Sequence, residues 1–209
     1  MEAILVNYNF DPQWLLEAPH LNPITIYDRS DDGIVRDLEK YGKVIKQENI
    51  GNVDFPKLSY LIENYDSLPD VFLWSKTNLF KYLEEEEFEK IKDFDGFLPL
   101  MSKNHRTYSD NFGVVNFYKN DWYWERNDDW YFGQFQRKYV NSFGEWTAMF
   151  DLPNTPYIPF CPGGNFLLTR EKVHKYPVEF YKKMRDTLSY CQLPVEAFCA
   201  ERSYGLMWG

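Results

Sequence analysis

Three polar clusters each follow a short apolar run early in the chain. Asn7-Tyr8-Asn9 follows Ala3-Ile4-Leu5-Val6. Asp28, Arg29, Asp31 and Asp32 follow Ile24-Thr25-Ile26-Tyr27. Ser75-Lys76-Thr77-Asn78 follows Val71-Phe72-Leu73-Trp74. Together they bring amide, carboxylate, phenol, guanidinium and ammonium groups to one end of their strands. A nucleotide needs such a set: a ring against the base, partners for the ribose hydroxyls and cations for the phosphates. Segments that follow strands are polar whatever they do, so solvated loops remain the competing reading.

Other chemistries lack their signatures. No GxGxxG or GxxxxGK[ST] is present, which disfavours dinucleotide and P-loop phosphate binding. No GxSxG marks a hydrolase nucleophile. His20, His105 and His174 lie far apart without metal-ligand spacing. Cys161, Cys191 and Cys199 have no CxxC spacing and sit in apolar contexts, so they read as core residues in a reducing, intracellular setting. One DxD, Asp93-Phe94-Asp95, falls between a helix and a strand and reads as a turn.

The elements that must position these groups alternate. Short continuous apolar runs suit buried parallel strands, and Lys43-Val44-Ile45-Lys46 reads as another. Pro56, tolerated in a first helical turn, opens a helix with Leu58, Leu61, Ile62 and Tyr65 at helical spacing. Another helix is expected from Phe80 to Lys92. Strand–helix alternation predicts a mixed, mostly parallel central sheet flanked by helices, an α/β single domain over residues 1–209. In such a sheet ligands bind beyond the carboxyl ends of the strands, where the three clusters fall. Phe97 to Leu100, Val114 to Phe117 and Phe166 to Leu168 are further strands. Helices begin near Pro177 and Pro194. Residues 117–160 hold 15 aromatics in 44 positions with no helical period; they read as irregular loops and short helices over one face of the sheet.

The whole composition sets the limits. The chain has 209 residues, 44% hydrophobic and 26% charged, which excludes disorder, collagen and coiled coil. A net charge of −9 argues against nucleic acid and anionic membranes as partners. No apolar run reaches the roughly 18 residues of a membrane span. The N-terminus has no basic region before its apolar run, so a cytoplasmic location is expected. The ending soon after a helix fits a domain cut from a longer polypeptide. Aromatics make up 19% of the residues. Trp122, Trp124 and Trp130 could present flat rings to sugars or fill the core under a lid.

The segments NYNFD (7–11), ITIYDRSDDG (24–33), YLIENYDSLPDVFLW (60–74), PGGNFLLTREKV (162–173) and EAFCAERSYGLMW (196–208) resemble a family of small GT-A-type glycosyltransferases. Within that family the chain resembles the chlorella virus domains that build glycans on the major capsid protein. The resemblance spans most of the chain and is patchy between residues 100 and 160. It implies a GT-A-like (Rossmann-like) fold, with a nucleotide-binding half over 1–100 and an acceptor half over 101–209. It also implies a UDP-sugar donor, a glycan or glycoprotein acceptor and, by extension, viral capsid glycan synthesis in the host-cell cytoplasm. By position, Asn7, Tyr8, Asn9 and Asp28, with Arg29, Ser75 and Asn78, would hold the nucleotide. Tyr60 and Asn64 would face the same pocket. Gly163, Gly164 and Asn165 would form the turn at the donor sugar and acceptor, with Glu196 and Glu201 near the reacting carbon.

One departure stands out. The family holds Mn²⁺ or Mg²⁺ with a DxD after the fourth strand, and here that position reads Trp74-Ser75-Lys76-Thr77-Asn78. Either other ligands hold a divalent cation or Lys76 supplies the positive charge itself. Glu201 is the candidate base, with Arg202 or Arg170 on phosphate; a structural Glu201–Arg202 helix pair is the alternative. Retention and inversion both stay open. A catalytically silent carbohydrate- or nucleotide-binding module is the rival class. A nucleotidyltransferase would need metal-holding carboxylates that the sequence does not place.

Overall fold

The four early apolar runs are parallel strands: β1 (Glu2–Asn7), β2 (Ile24–Asp28), β3 (Lys43–Lys46) and β4 (Val71–Lys76). Two later strands, β5 (Leu98–Pro99) and β10 (Phe166–Thr169), complete one sheet in the order β3-β2-β1-β4-β10-β5, with β10 antiparallel to β4 and to β5. The computed structural model describes residues 1–89, 91, 92, 94, 96–101, 108–120 and 122–209. Asp93 and Asp95 of the DxD, and His105, lie outside the described residues.

Period-two alternation divides the strand residues between two cores. Ile4, Phe72, Trp74, Phe166 and Leu168 pack with Leu58, Tyr181 and Tyr204. Ala3, Leu5, Ile26, Leu73 and Leu167 pack on the other face with Leu15, Leu79 and Phe88. The first face is covered by α1 (Asp54–Glu63), α5 (Val178–Asp186) and α6 (Val195–Trp208). A 3-10 turn at Gln13–Glu17 and the helix α2 (Glu85–Glu89) cover the second.

Two expectations change. The single helix expected from Phe80 to Lys92 is a 3-10 turn, Leu79–Lys81, followed by the five-residue α2. Glu85, Glu86 and Glu87 occupy its first turn. Acidic side chains favour a helix start but offer no apolar stripe to extend it. The aromatic region holds the expected short helices, a 3-10 turn at Trp130–Gly133 and a helix at Phe143–Met149, and the expected strand from Val114 to Phe117, but more of it is strand than irregular loop allows for. It carries strands β7 (Gly113–Lys119), β8 (Trp122–Arg126) and β9 (Tyr157–Phe160), which with β6 (Tyr108–Asp110) form a second, antiparallel sheet in the order β6-β7-β8-β9. Aromatics favour strands. In Trp122-Tyr123-Trp124 both faces are aromatic, so the alternation that betrays a strand is invisible. The short helices α3 (Phe143–Met149) and α4 (Arg170–Val173) complete the chain.

α6 joins the two sheets and is buried along most of its 14 residues. It packs on β9 at Gly205, where an added Cβ would stand 1.9 Å from the Pro159 carbonyl oxygen.

Candidate functional site

The carboxyl ends of β1, β2 and β4 are tied together by Asn7. Its buried side chain donates Nδ2 to Asp28 Oδ1 at 3.0 Å, and its Oδ1 accepts from Thr77 Oγ1 at 2.6 Å. Asp28 also accepts from the Ser30 hydroxyl at 2.7 Å and from Lys46. Burial pushes the Asp28 carboxyl up, but the bonds from Lys46, Ser30 and Asn7 outweigh it and hold it below its ordinary value. Asn9, with a positive φ of 53°, fastens the next loop by donating to Asp31 at 3.1 Å and accepting from its amide at 3.0 Å. Asn7, Asn9 and Asp28 therefore brace the strand ends rather than wait for a ligand.

A cavity of about 390 Å³ opens above this brace. Tyr8, Asn49, Asn52, Val53, Tyr82, Gln192 and Leu193 line it, with Arg29, Lys76, Thr77 and Asn78. Its size suits a small-molecule or nucleotide ligand. Its wall is made from two distant segments: Gly51 N donates to Cys191 O and Asn52 N to Gln192 O, each at 2.9 Å. Arg29 holds the nearer segment by donating to Ile50 O at 2.9 Å, Asn49 Oδ1 and Asn52 O. Burial pushes its guanidinium down to about 10, still fully charged at neutral pH. With those bonds made, Arg29 positions the wall. Lys76, at the end of β4, is different. Its ammonium lies 5.0 Å from the Tyr82 ring centroid and makes no hydrogen bond or ion pair among the described residues.

A second set of charges lies beside the cavity. Asp54 and Lys57, one turn apart on α1, are fully buried. Tyr204 donates to Asp54 Oδ1 at 2.8 Å, and Lys57 donates to the Gly164 carbonyl at 2.6 Å. Burial, reinforced by Glu201, raises the Asp54 carboxyl well above its usual range. Burial likewise lowers the Lys57 ammonium, against the pull of Asp54. Lys57 reaches the Gly163-Gly164-Asn165 turn expected at the donor sugar. Gly163 and Gly164 both have positive φ, 89° and 60°, which side-chain-bearing residues resist. Asn165 accepts from Ser75 Oγ at 2.9 Å and from Lys76 N at 3.0 Å, locking the turn to β4. The half-buried Glu201 faces Gly164; a Cβ there would lie 3.7 Å from its Oε1.

Of the residues expected at the site, Tyr8, Arg29, Lys76 and Asn78 line the cavity, Asn7, Asn9, Asp28 and Ser75 brace the strand ends beneath it, and Gly163, Gly164, Asn165 and Glu201 gather at Lys57 without lining it. Others lie elsewhere. Tyr60 donates to Glu2 at 2.7 Å, at the amino end of β1, and Asn64 caps α1 by bonding Tyr60 O at 3.0 Å. Glu196 accepts from the Lys138 and Tyr139 amides at 3.0 and 2.7 Å, fastening a loop to the start of α6. Arg202 pairs with Glu125 at 2.7 Å, not with Glu201, and Arg170 pairs with Asp70 at the amino end of β4. Neither lines the cavity. Trp122 packs on Phe97 and Phe166, and Trp124 stacks on Phe117 in the second sheet.

Asp54 and Lys57 were missed in sequence, although a signal existed. They share the helical face of Leu58 and Leu61, and charges on an apolar stripe are out of place unless paired or functional. Asn49, Asn52, Tyr82 and Gln192 carried no comparable signal.

The described residues at the cavity offer no carboxylate pair like the DxD that holds a divalent cation in the resembled family. Asp28 is spent on the brace, one Asp54 oxygen on Tyr204, and the segment after β4 offers no carboxylate. Among the described residues no cluster of three or more His, Cys, Asp and Glu could hold a metal. No described helix is long and apolar enough to cross a membrane.

Residues 6–209 match the family model described as Protein of unknown function (DUF3431). No curated protein and no solved structure matches the chain.

Proposed function

We propose that this chain, which belongs to the DUF3431 family, is a glycosyltransferase that moves a sugar from a nucleotide-sugar donor, a UDP-sugar, to a glycan or glycoprotein acceptor. One observation carries the reading. Lys76 is the uncommitted cation of the cavity among the described residues, at the carboxyl end of a central strand. Arg29, the other cation there, is consumed by the wall.

The chemistry follows from that placement. The bond from the anomeric carbon to the diphosphate oxygen breaks, and negative charge develops on the leaving nucleoside diphosphate. Lys76 is positioned to neutralise it, and a fixed cation in a cleft costs no reorganisation when the charge appears. A new bond forms from the acceptor oxygen to the same carbon. Glu201, beside the Gly163–Gly164 turn, takes the hydroxyl proton. Tyr8, half exposed with its ring on the cavity, offers a face to the base, and the amides of Asn49, Asn52 and Gln192 offer hydrogen bonds. The nearly parallel Phe117 and Trp124 rings, 3° apart, suit stacking of an acceptor sugar on the second sheet.

Calorimetric titration with UDP, GDP and CMP, with and without Mn²⁺, tests the donor half. Micromolar UDP affinity that is indifferent to Mn²⁺, with weak response to the other two, is the expected result. Binding of none of them would remove the reading. The absence of a carboxylate pair after β4 favours a second reading, a catalytically silent nucleotide- or carbohydrate-binding module. That module would bind UDP-sugar without ever releasing UDP.

A further inference from the structure

Asp54 is an unusual residue to find behind an anion site. Its side chain is fully buried, and Oδ1 is bonded to Tyr204 while Oδ2 has no partner among the described residues. A buried polar atom without a partner calls for a reason. The charged groups around it come from every neighbouring element. Lys57 shares α1, Glu201 and Tyr204 come from α6, Lys76 from β4 and Arg29 from the end of β2. Lys57, the Tyr204 hydrogen bond and then Lys76, in that order, favour the ionised carboxylate, while burial and Glu201 oppose it. Lys57 is already committed to Gly164. Lys76 is the cation that a ligand can claim.

We propose that Asp54 is a positioning residue of the donor site that acts through Lys76, taking up a proton when the diphosphate of a nucleotide sugar settles against that ammonium. The inference rests on the donor-site reading above. A diphosphate diester brings about two negative charges and takes the field of Lys76 for itself. Ionised Asp54 would then face Glu201 and the phosphates with Lys57 as its nearest counter-ion. One unit charge about 10 Å away, in surroundings of effective dielectric about 20, changes a proton affinity roughly tenfold. The carboxyl already sits above its ordinary range through burial and Glu201. A further rise carries it through neutral pH. The proton removes a repulsion between Asp54 and the phosphate oxygens while Lys57 keeps its bond to Gly164 at the turn.

The test is calorimetry with UDP-glucose, whose diphosphate diester does not itself titrate near neutrality. Binding is measured at pH 7 in several buffers of different ionisation enthalpy. The slope of observed enthalpy on buffer enthalpy is expected to report uptake of roughly 0.4 proton per ligand, the value for a tenfold shift crossing that pH. In Asp54→Asn the slope should disappear while binding remains measurable. A wild-type slope of zero, or an unchanged slope in Asp54→Asn, overturns the proposal. Should Asp54→Asn fail to fold, the wild-type Kd decides: it should tighten about fivefold from pH 8 to pH 6, and a flat profile overturns the proposal. Wild-type protein that binds no UDP-glucose removes the donor-site reading as well, whereas binding without proton uptake removes this inference alone.

Discussion

Lys76, Arg29 and Lys57 are three cations with three different tasks, and substitution separates them. Lys76→Ala should weaken UDP-sugar binding by about 10- to 100-fold, the worth of a charge-assisted hydrogen bond to phosphate, and should abolish turnover. Its melting temperature should fall far less than that of Arg29→Ala, because the ammonium makes no hydrogen bond or ion pair among the described residues and its stabilising contacts are the Tyr82 ring and the more distant Asp54. Unchanged affinity in calorimetry would rule Lys76 out as the anion site. Arg29→Ala should lose both binding and stability. It leaves the Asn52 and Ile50 carbonyls without their donor, at a cost of about 1–3 kcal/mol each if they stay dry, and denaturant melts would show it. Lys57→Met takes a favourable charge from buried Asp54 and the donor from the Gly164 carbonyl, which should cost at least the roughly 1–3 kcal/mol of an unsatisfied buried acceptor near pH 8. The sign of its pH dependence is fixed. A carboxyl whose folded proton affinity is raised carries its penalty at high pH. The penalty fades as pH falls through the raised folded value and is gone below the ordinary unfolded value. Lys57→Met should therefore regain stability between pH 8 and pH 4, as urea melts across that range would reveal.

At the scale of elements, the parallel strands were legible because each is a short apolar run ending in polar residues. Ala3 to Val6, Ile24 to Tyr27, Lys43 to Lys46 and Val71 to Trp74 all fall within strands. The helices at Pro177 and Pro194 were legible from their prolines, although each proline stands at the N-cap, one residue before the helix, rather than in its first turn. β7 and β8 were only half legible, since a strand with aromatic residues on both faces shows no alternation. The site was legible where it depends on strand ends and illegible where it depends on loops meeting. Nothing in Asn49, Asn52 or Gln192 announces that residues some 140 positions apart share a wall. Tyr60, Asn64 and Glu196 were misplaced for a related reason. A polar residue on a helix points to whichever end of the sheet the helix phase dictates, and spacing alone does not supply that phase. The junction of α6 with β9 gives the sharpest element-level expectation. Gly205→Ala would force a methyl into the Pro159 carbonyl, and backbone cannot yield as a flexible side chain does. The loss should reach or exceed the roughly 1–3 kcal/mol of ordinary overpacking, measured as a lowered Tm or as insoluble protein.

Across the whole molecule, the six-stranded sheet supplies a cavity at its carboxyl edge and the antiparallel sheet supplies an aromatic surface, with α6 buried between them. Both halves of the proposed reaction thus depend on one helix, and that helix also carries Glu201 and Tyr204. Chelation is informative at this scale. With Lys76 in place of a metal-holding carboxylate pair, EDTA should leave UDP-sugar turnover within about twofold, a difference too small to represent a lost charge–charge contact. A complete loss restored by Mn²⁺ would place a metal at the site after all. The bonds between Gly51 and Cys191 and between Asn52 and Gln192 carry a consequence in time as well as space. Synthesis delivers the floor of the cavity first, with β1, β2 and β4, and the strip that completes its wall only after about 140 intervening residues. A nascent chain arrested before Cys191 would lack the backbone partners of Gly51 and Asn52, and with them the closed wall of the pocket. Any nucleotide capture at this cavity would then have to wait for Gln192 and Leu193, however early the strands had paired.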